Sequence, residues 1–552
     1  MQKYCYECHG RGGEDQSGEG INMLDFDTLV RQPGDDPEQV AFVVPGDLKK
    51  SKIWKEAVDS KRMPPEFADN IPGDDERKIL EQWIKEGGGL PAPKFRVDEF
   101  ISDEEILTAI RDDLREIKDT QPDDLPFTRY LVLTQLYNNH SIPDDLLPVF
   151  RAAVSKMINS LSWKPLKVPE FIDKEQTIFR IDLRDYGWTD RRQWWELVKR
   201  YPYGVQYAEN RKLENLQQEI DELTNSRFSY LRGDWFVFAA SRLAYDELLG
   251  LPNSLAELEH RLGVNWVEHF ANNEMQRAGT VQSNVSRHHR IVERHISDFG
   301  YYWRSYEGDL GNEQGNFLLF PLGPDYTGHP FPEQVFSYIG GEIIFSLPNN
   351  LQAYGLYDGK DKRLAVPAPI TVVRDLKESS GTPEVVNGIS CISCHAQGMR
   401  DFKDSIRDFA VVLGEPKRKV ESLYPPQAEM NKLVDQDRQQ FLRAVEKATA
   451  KFLQVGDNEK KKFEDFKVEP VSELVQFYLS DLNGDAVAAE LGLKNEEALL
   501  SMIQSNRRLQ EMGLGPLLQT SGVKRQLWDR DRNDSLFRQI LLEFRATIRN
   551  VD

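Results

Sequence analysis

The stretch Asn387-Gly388-Ile389-Ser390-Cys391-Ile392-Ser393-Cys394-His395 decides how the rest of the chain is read. Two cysteines separated by two residues, with histidine directly after the second, form the pattern for covalent haem attachment: the thiols bond the haem vinyl groups and the imidazole ligates iron. A second copy, Cys5-Tyr6-Glu7-Cys8-His9, stands near the other end. The chain has 4 cysteines, so the two copies use every thiol and leave none for disulfides or a thiol nucleophile. Zinc ribbons also pair Cys-x-x-Cys, but their pairs lie about 15–20 residues apart and need no trailing histidine. A thioredoxin-like dithiol wants a βαβ pattern beside it, and neither copy has one. The expected cofactors are two covalently bound haem c groups, one on Cys5 and Cys8 with His9 on iron, the other on Cys391 and Cys394 with His395 on iron.

At 552 residues the chain exceeds one core, and length alone suggests about three or four domains. With 70 Lys and Arg against 90 Asp and Glu, the net charge is -20, and no basic run suits nucleic acid. An acidic surface steers basic redox partners or simply keeps a protein soluble. No apolar run approaches the ~18–20 residues of a membrane span. Haem attachment of this kind requires export, so a signal peptide is expected on the precursor. Only Met1 to Tyr4 precede Cys5, which reads as a trimmed boundary with Met1 as a replacement start.

Residues 1–95 read as a small single-haem domain. A Gly-rich loop follows His9, and Lys61-Arg62-Met63-Pro64-Pro65 follows later. The prolines stiffen a loop that must hold a neutral sulfur against iron, so Met63 is the expected sixth ligand opposite His9, rather than a core methionine. Asp74 and Asp75 open a helix whose apolar face holds Ile79, Leu80, Trp83 and Ile84, and Gly87-Gly88-Gly89 ends it. The pattern resembles class I cytochromes c, although the helix that usually leads into the first cysteine is missing.

Residues 96–170 read as a helical connector, with Tyr130 to Tyr137 and Leu147 to Trp163 among its apolar helical faces. Residues 171–380 read as an α+β domain. Phe179, Ile181 and Leu183 alternate with charged residues as in a half-buried strand, and Asp358-Gly359 marks a hairpin turn. Residues 381–460 carry the second haem-attachment segment, with an amphipathic helix expected through Phe402, Ile406 and Phe409. Residues 461–552 read as a C-terminal helical region. The expected fold is mainly α with an α+β central domain.

The sixth ligand of the second haem is open at this level. Ser286-Arg287-His288-His289-Arg290-Ile291-Val292-Glu293-Arg294-His295 concentrates imidazoles, but their spacing does not place two on one helical face as zinc hydrolases require. His295 could supply the ligand. Met399 follows His395 too closely to reach the far side of the same iron. Met430 is distant enough, and a vacant or water-bound position is the remaining possibility.

The order of features is similar to a family of large exported cytochromes of planctomycetes and related bacteria. The residues that carry the likeness are Cys5–His9 with Arg62-Met63-Pro64-Pro65, Ser160-Leu161-Ser162-Trp163, Ile181-Asp182-Leu183-Arg184-Asp185-Tyr186, Tyr201-Pro202-Tyr203-Gly204, Glu293-Arg294-His295, Gly340-Gly341-Glu342-Ile343-Ile344-Phe345, Leu347-Pro348-Asn349 and Asn387–His395. The resemblance implies haem at both motifs, draws attention to His295 over His288 and His289, and assigns no reaction. The expectation is an exported, periplasmic dihaem c-type cytochrome that passes electrons between protein redox partners. Its alternatives are a haem enzyme of peroxidase type with an open site on the second iron, and a scaffold subunit of a larger redox complex. Electron transfer is favoured because no acid–base or nucleophile constellation accompanies the haem motifs.

Overall fold

In the computed structural model the described residues are 42–44, 46–64, 71–85, 100–207, 210–280, 289–364, 366–368, 373–375, 377–466, 468–519, 521–530, 535–543 and 547–548. Cys5, Cys8, His9 and His288 lie outside them. The chain divides into two compact units, residues 1–94 with Leu376–Glu378, and Phe95–Asp375 with Ser379–Asp552. The architecture is mixed α/β.

In the first unit, helix α1 (Asp74–Lys85) carries Asp74, Asp75 and Glu76 in its first turn, where the positive end of the helix favours carboxylates. Ile84 joins Val43 and Ile53 in a small core, flanked by Leu80 and Trp83. Ile79 departs from the expected face: it is 68% exposed, because the buried stripe runs through Leu80, Trp83 and Ile84 at i, i+3, i+4 and Ile79 falls at its edge.

In the second unit, helix α2 (Asp103–Thr120) starts at Ser102, which forms a capping box with Glu105, and packs on helix α3 (Arg211–Thr224). A four-stranded sheet holds β1 (Thr128–Val132), β2 (Glu170–Phe171), β3 (Ile178–Asp182) and β4 (Tyr230–Arg232) in the order β2-β3-β1-β4. The alternation at Phe179 and Ile181 does make β3. Tyr130 to Val132, read above as helical, is instead the middle of this sheet. All five residues of β1 are buried, Arg129 among them, so both faces are covered and no in–out period marks it as a strand.

Five antiparallel strands form the second sheet as a meander: β5 (Gln276–Thr280), β6 (Arg290–Ser297), β7 (Gly300–Gly308), β8 (Tyr338–Ser346) and β9 (Gln352–Asp358). Register fixes its two faces, since side chains alternate along each strand. Val292 pairs with Ser305, Trp303 with Ile344 and Glu342 with Leu356, so these share one face. Ile291, Glu293 and His295 point from the other.

The haem-motif helix α4 (Ile389–Cys394) packs against α6 (Pro470–Leu479). Between them in the chain runs α5 (Gln427–Leu453), the longest helix described, which carries Met430 near its start. Residues 401–413 are not the expected helix. Their backbone is tied sideways instead, Ser405 N–H to the Gly279 carbonyl at 2.7 Å and Val411 N–H to Leu318 at 2.8 Å, while the Asp404 carboxylate accepts from Gly279 N–H at 2.8 Å. No described helix is long and apolar enough to cross a membrane.

Candidate haem site

Each residue of the stretch 387–395 has a role that its neighbours explain. Gly388 stands at the helix start with φ of 90°, and a Cβ there would lie 2.3 Å from the Ser241 carbonyl oxygen and 2.7 Å from the Tyr245 ring. Only glycine meets both demands. Asn387 donates to Asp246 at 2.6 Å and to the Tyr354 carbonyl at 3.2 Å. Ser390 donates to Asp375 at 2.9 Å. The short helix is thereby fixed at three points, which sets where Cys391, Cys394 and His395 face.

These three side chains line a cleft of about 910 Å³, mostly apolar, whose far side is the sheet face of Val292, Trp303, Ser305, Glu342 and Ile344. A cleft of this size falls in the range of about 300–1,000 Å³ typical of cofactor sites. His395 Nδ1 lies 3.2 Å from the Gly398 carbonyl. A ring whose Nδ1–H is held by a carbonyl presents Nε2 as the free lone pair, the arrangement that orients metal-binding imidazoles. The loop after the motif is held by Arg438, which donates to the Met399 carbonyl at 3.0 and 2.8 Å and to Asp401 at 2.6 Å.

The donor set fits a covalently held haem better than a bare metal or a redox dithiol. Burial pushes the Cys391 thiol well above its ordinary value, and the charge of Glu342 adds to this. Zinc binding and disulfide exchange need thiolates. Among the described residues no group of three or more His, Cys, Asp and Glu side chains is arranged to hold a metal ion. A haem would be held by Cys391 and Cys394 through thioethers and by His395 Nε2, and would supply one-electron redox chemistry.

Sequence reasoning missed the charged floor of the cleft. Arg290 pairs with Glu307, and its other end lies 3.9 Å from Glu342. Glu342 Oε1 is 3.4 Å from His395 Nε2. Burial opposes ionisation of Glu342, but the His395 ring and Arg290 hold its carboxyl below the usual value. The signal in the sequence is Gly340-Gly341-Glu342, a glycine pair that lets two strands close with a carboxylate directly after it.

His295 does not reach this cleft, which corrects the bis-imidazole expectation. It sits on the opposite face of β6, fully buried, with Nε2 2.9 Å from Glu293 and Nδ1 2.9 Å from His269. Glu293 also accepts from Trp266 at 2.7 Å, Tyr306 at 3.0 Å and Arg277 at 2.6 Å. Arg294, between them, points the other way and meets Asp437 of α5 through two bonds of 2.8 and 2.9 Å. Glu293-Arg294-His295 therefore fastens both sides of one strand. Met430 is buried in the core and does not line the cleft, whereas Met399 does. Met63, in the other unit, is 45% exposed and outside that unit's core.

Residues 5–66 match the model of a family described as Planctomycete cytochrome C. The matched span covers the first Cys-x-x-Cys-His motif and Met63, and supports a planctomycete-type cytochrome c, a holder of covalent haem, in that part of the chain. The second motif lies beyond the match. No curated protein and no solved structure matches the chain.

Proposed function

We propose that this chain is an exported cytochrome with two covalently bound c-type haems, which passes electrons between protein redox partners. The first haem would be held by Cys5, Cys8, His9 and Met63, and the second by Cys391, Cys394 and His395. One observation carries the reading: both thiols and the imidazole of the second motif line a single cleft of cofactor size, with His395 Nδ1 held by the Gly398 carbonyl so that Nε2 is the nitrogen turned toward Glu342 in the cleft. The match of residues 5–66 supports the first haem.

The test is expression with haem-maturation machinery, followed by intact mass and peptide mapping. Two haems of added mass, one on each motif, together with the sharp reduced-state bands of haem c, are expected. C391A/C394A should lose one haem and keep the other. Protein at its apo mass after maturation refutes the proposal. A second reading, catalysis at an open second iron, draws on the charged floor of Arg290, Glu307 and Glu342. Turnover of peroxide by the ferric protein, abolished by C391A/C394A, would select it over electron transfer alone.

A further inference from the structure

We infer that the carboxylate of Glu342 is the sixth ligand of the iron held by His395, an assignment that rests on the second haem proposed above. The sheet side of the cleft sets the carboxylates of Glu307 and Glu342 beside the guanidinium of Arg290. Arg290 is committed to Glu307 and stands 3.9 Å from Glu342. The hydrogen-bonding side-chain partners of Glu342 are His395 Nε2, at 3.4 Å, and the Cys391 thiol, whose S–H is lost once the sulfur is joined to haem. That nitrogen is the one iron takes. Once it does, Glu342 is left as a buried carboxylate without its closest partner, which is costly unless another cation replaces it. The iron that displaces it is that cation.

Geometry agrees. Bonds from a transition metal to imidazole nitrogen and carboxylate oxygen run near 2 Å, so the two donors on opposite sides of one metal span about 4 Å. The pair at 3.4 Å needs to open by only about half an ångström. The strand is also built to aim this side chain. The pairing of β7 with β8 shifts register between Glu307 and Gly308, and bulges of this kind re-aim side chains beside sites. At Gly341 a Cβ would lie 1.8 Å from the Ser305 carbonyl oxygen, so the glycine lets β8 close on β7, and Glu342 N–H donates to Ser305 Oγ at 2.8 Å. Binding involves no change in oxidation state: a carboxylate oxygen donates a lone pair to iron and any water in that position leaves.

The experiment uses the full chain with both haems attached and compares the native protein with E342Q, E342H and M399L by electron paramagnetic resonance, visible absorption and titration with imidazole. The first haem serves as an unchanged reference. E342H should convert the second haem to a low-spin bis-imidazole form. E342Q should raise the midpoint potential of that haem, since an anionic ligand favours ferric iron. It should also raise imidazole affinity tenfold or more, the change from removing a competitor worth about 1.4 kcal/mol. M399L should do none of these. Haem present at Cys391 and Cys394 but spectra and imidazole affinity unmoved by E342Q overturns this inference alone; so does an M399L variant that behaves as described for E342Q. Absence of haem at that motif overturns this inference together with the second-haem proposal.

Discussion

Replacing Asp437 by leucine removes the acceptor of three buried donors at once. Arg294 reaches its two oxygens at 2.8 and 2.9 Å and Trp303 Nε1 donates at 2.8 Å, with the Arg294 and Asp437 side chains only 7% and 2% exposed. Removing one partner of such a pair leaves a buried charge uncompensated, at about 3–5 kcal/mol. With a urea slope of about 3 kcal/mol/M, the midpoint falls by about 1–1.7 M. Urea unfolding of the holoprotein, followed by fluorescence and by the haem bands, measures it. The double variant R294M/D437L removes both charges and should recover a large part of the loss, giving a coupling energy of about 2 kcal/mol or more in a double-mutant cycle. A cost below about 1 kcal/mol for D437L, or additive single and double variants, would refute the view that this pair fastens α5 to the sheet.

His295 contacts the opposite face of β6, so H295A should leave the spectrum and imidazole affinity of the second haem unchanged. It should lower stability by about 1–3 kcal/mol as Glu293 and His269 lose a partner, read by the same urea titration. G388A forces a side chain into a left-handed conformation against the Ser241 carbonyl, at about 1–3 kcal/mol, and should reduce haem occupancy at Cys391 and Cys394 relative to Cys5 and Cys8 on peptide mapping. Glu490 is buried, which opposes its charge, yet Arg232 at 2.7 Å and Arg525 at 2.8 Å bring its carboxyl down to about 2. A folded value below the unfolded one stabilises the native state above the unfolded value, near 4.5, and that contribution is lost as pH falls towards 2. Acid unfolding of the native protein should therefore steepen over this window, and E490Q should be weaker at neutral pH with a flatter acid limb.

What the chain disclosed in advance was whatever is local. The two Cys-x-x-Cys-His motifs, the helix after Asp74 and the alternation of β3 are each written in neighbouring residues. Strand β1 escaped because burial on both sides erases alternation. Phe402, Ile406 and Phe409 imitate helical spacing, but Ser405 N–H donates to the Gly279 carbonyl and the Asp404 carboxylate accepts from Gly279 N–H, so the segment stays open. The imidazole-rich run misled for a related reason. Clustering in sequence puts His295 forward as a ligand, while the two-residue period of a strand turns it to the face away from the cleft. Glu342 could not be found from spacing at all, since only the meander sets it against His395.

The seat of α4 also bears on how the protein is made. Cys391 is 3% exposed, and α4 packs against α6, a segment that leaves the ribosome later than the motif does. If haem is joined to both sulfurs, as proposed, the joining enzyme has to handle that stretch before the later helix settles over it. Under that proposal assembly in the cell has a fixed sequence, with the pigment fitted before the segment from Pro470 onward has docked.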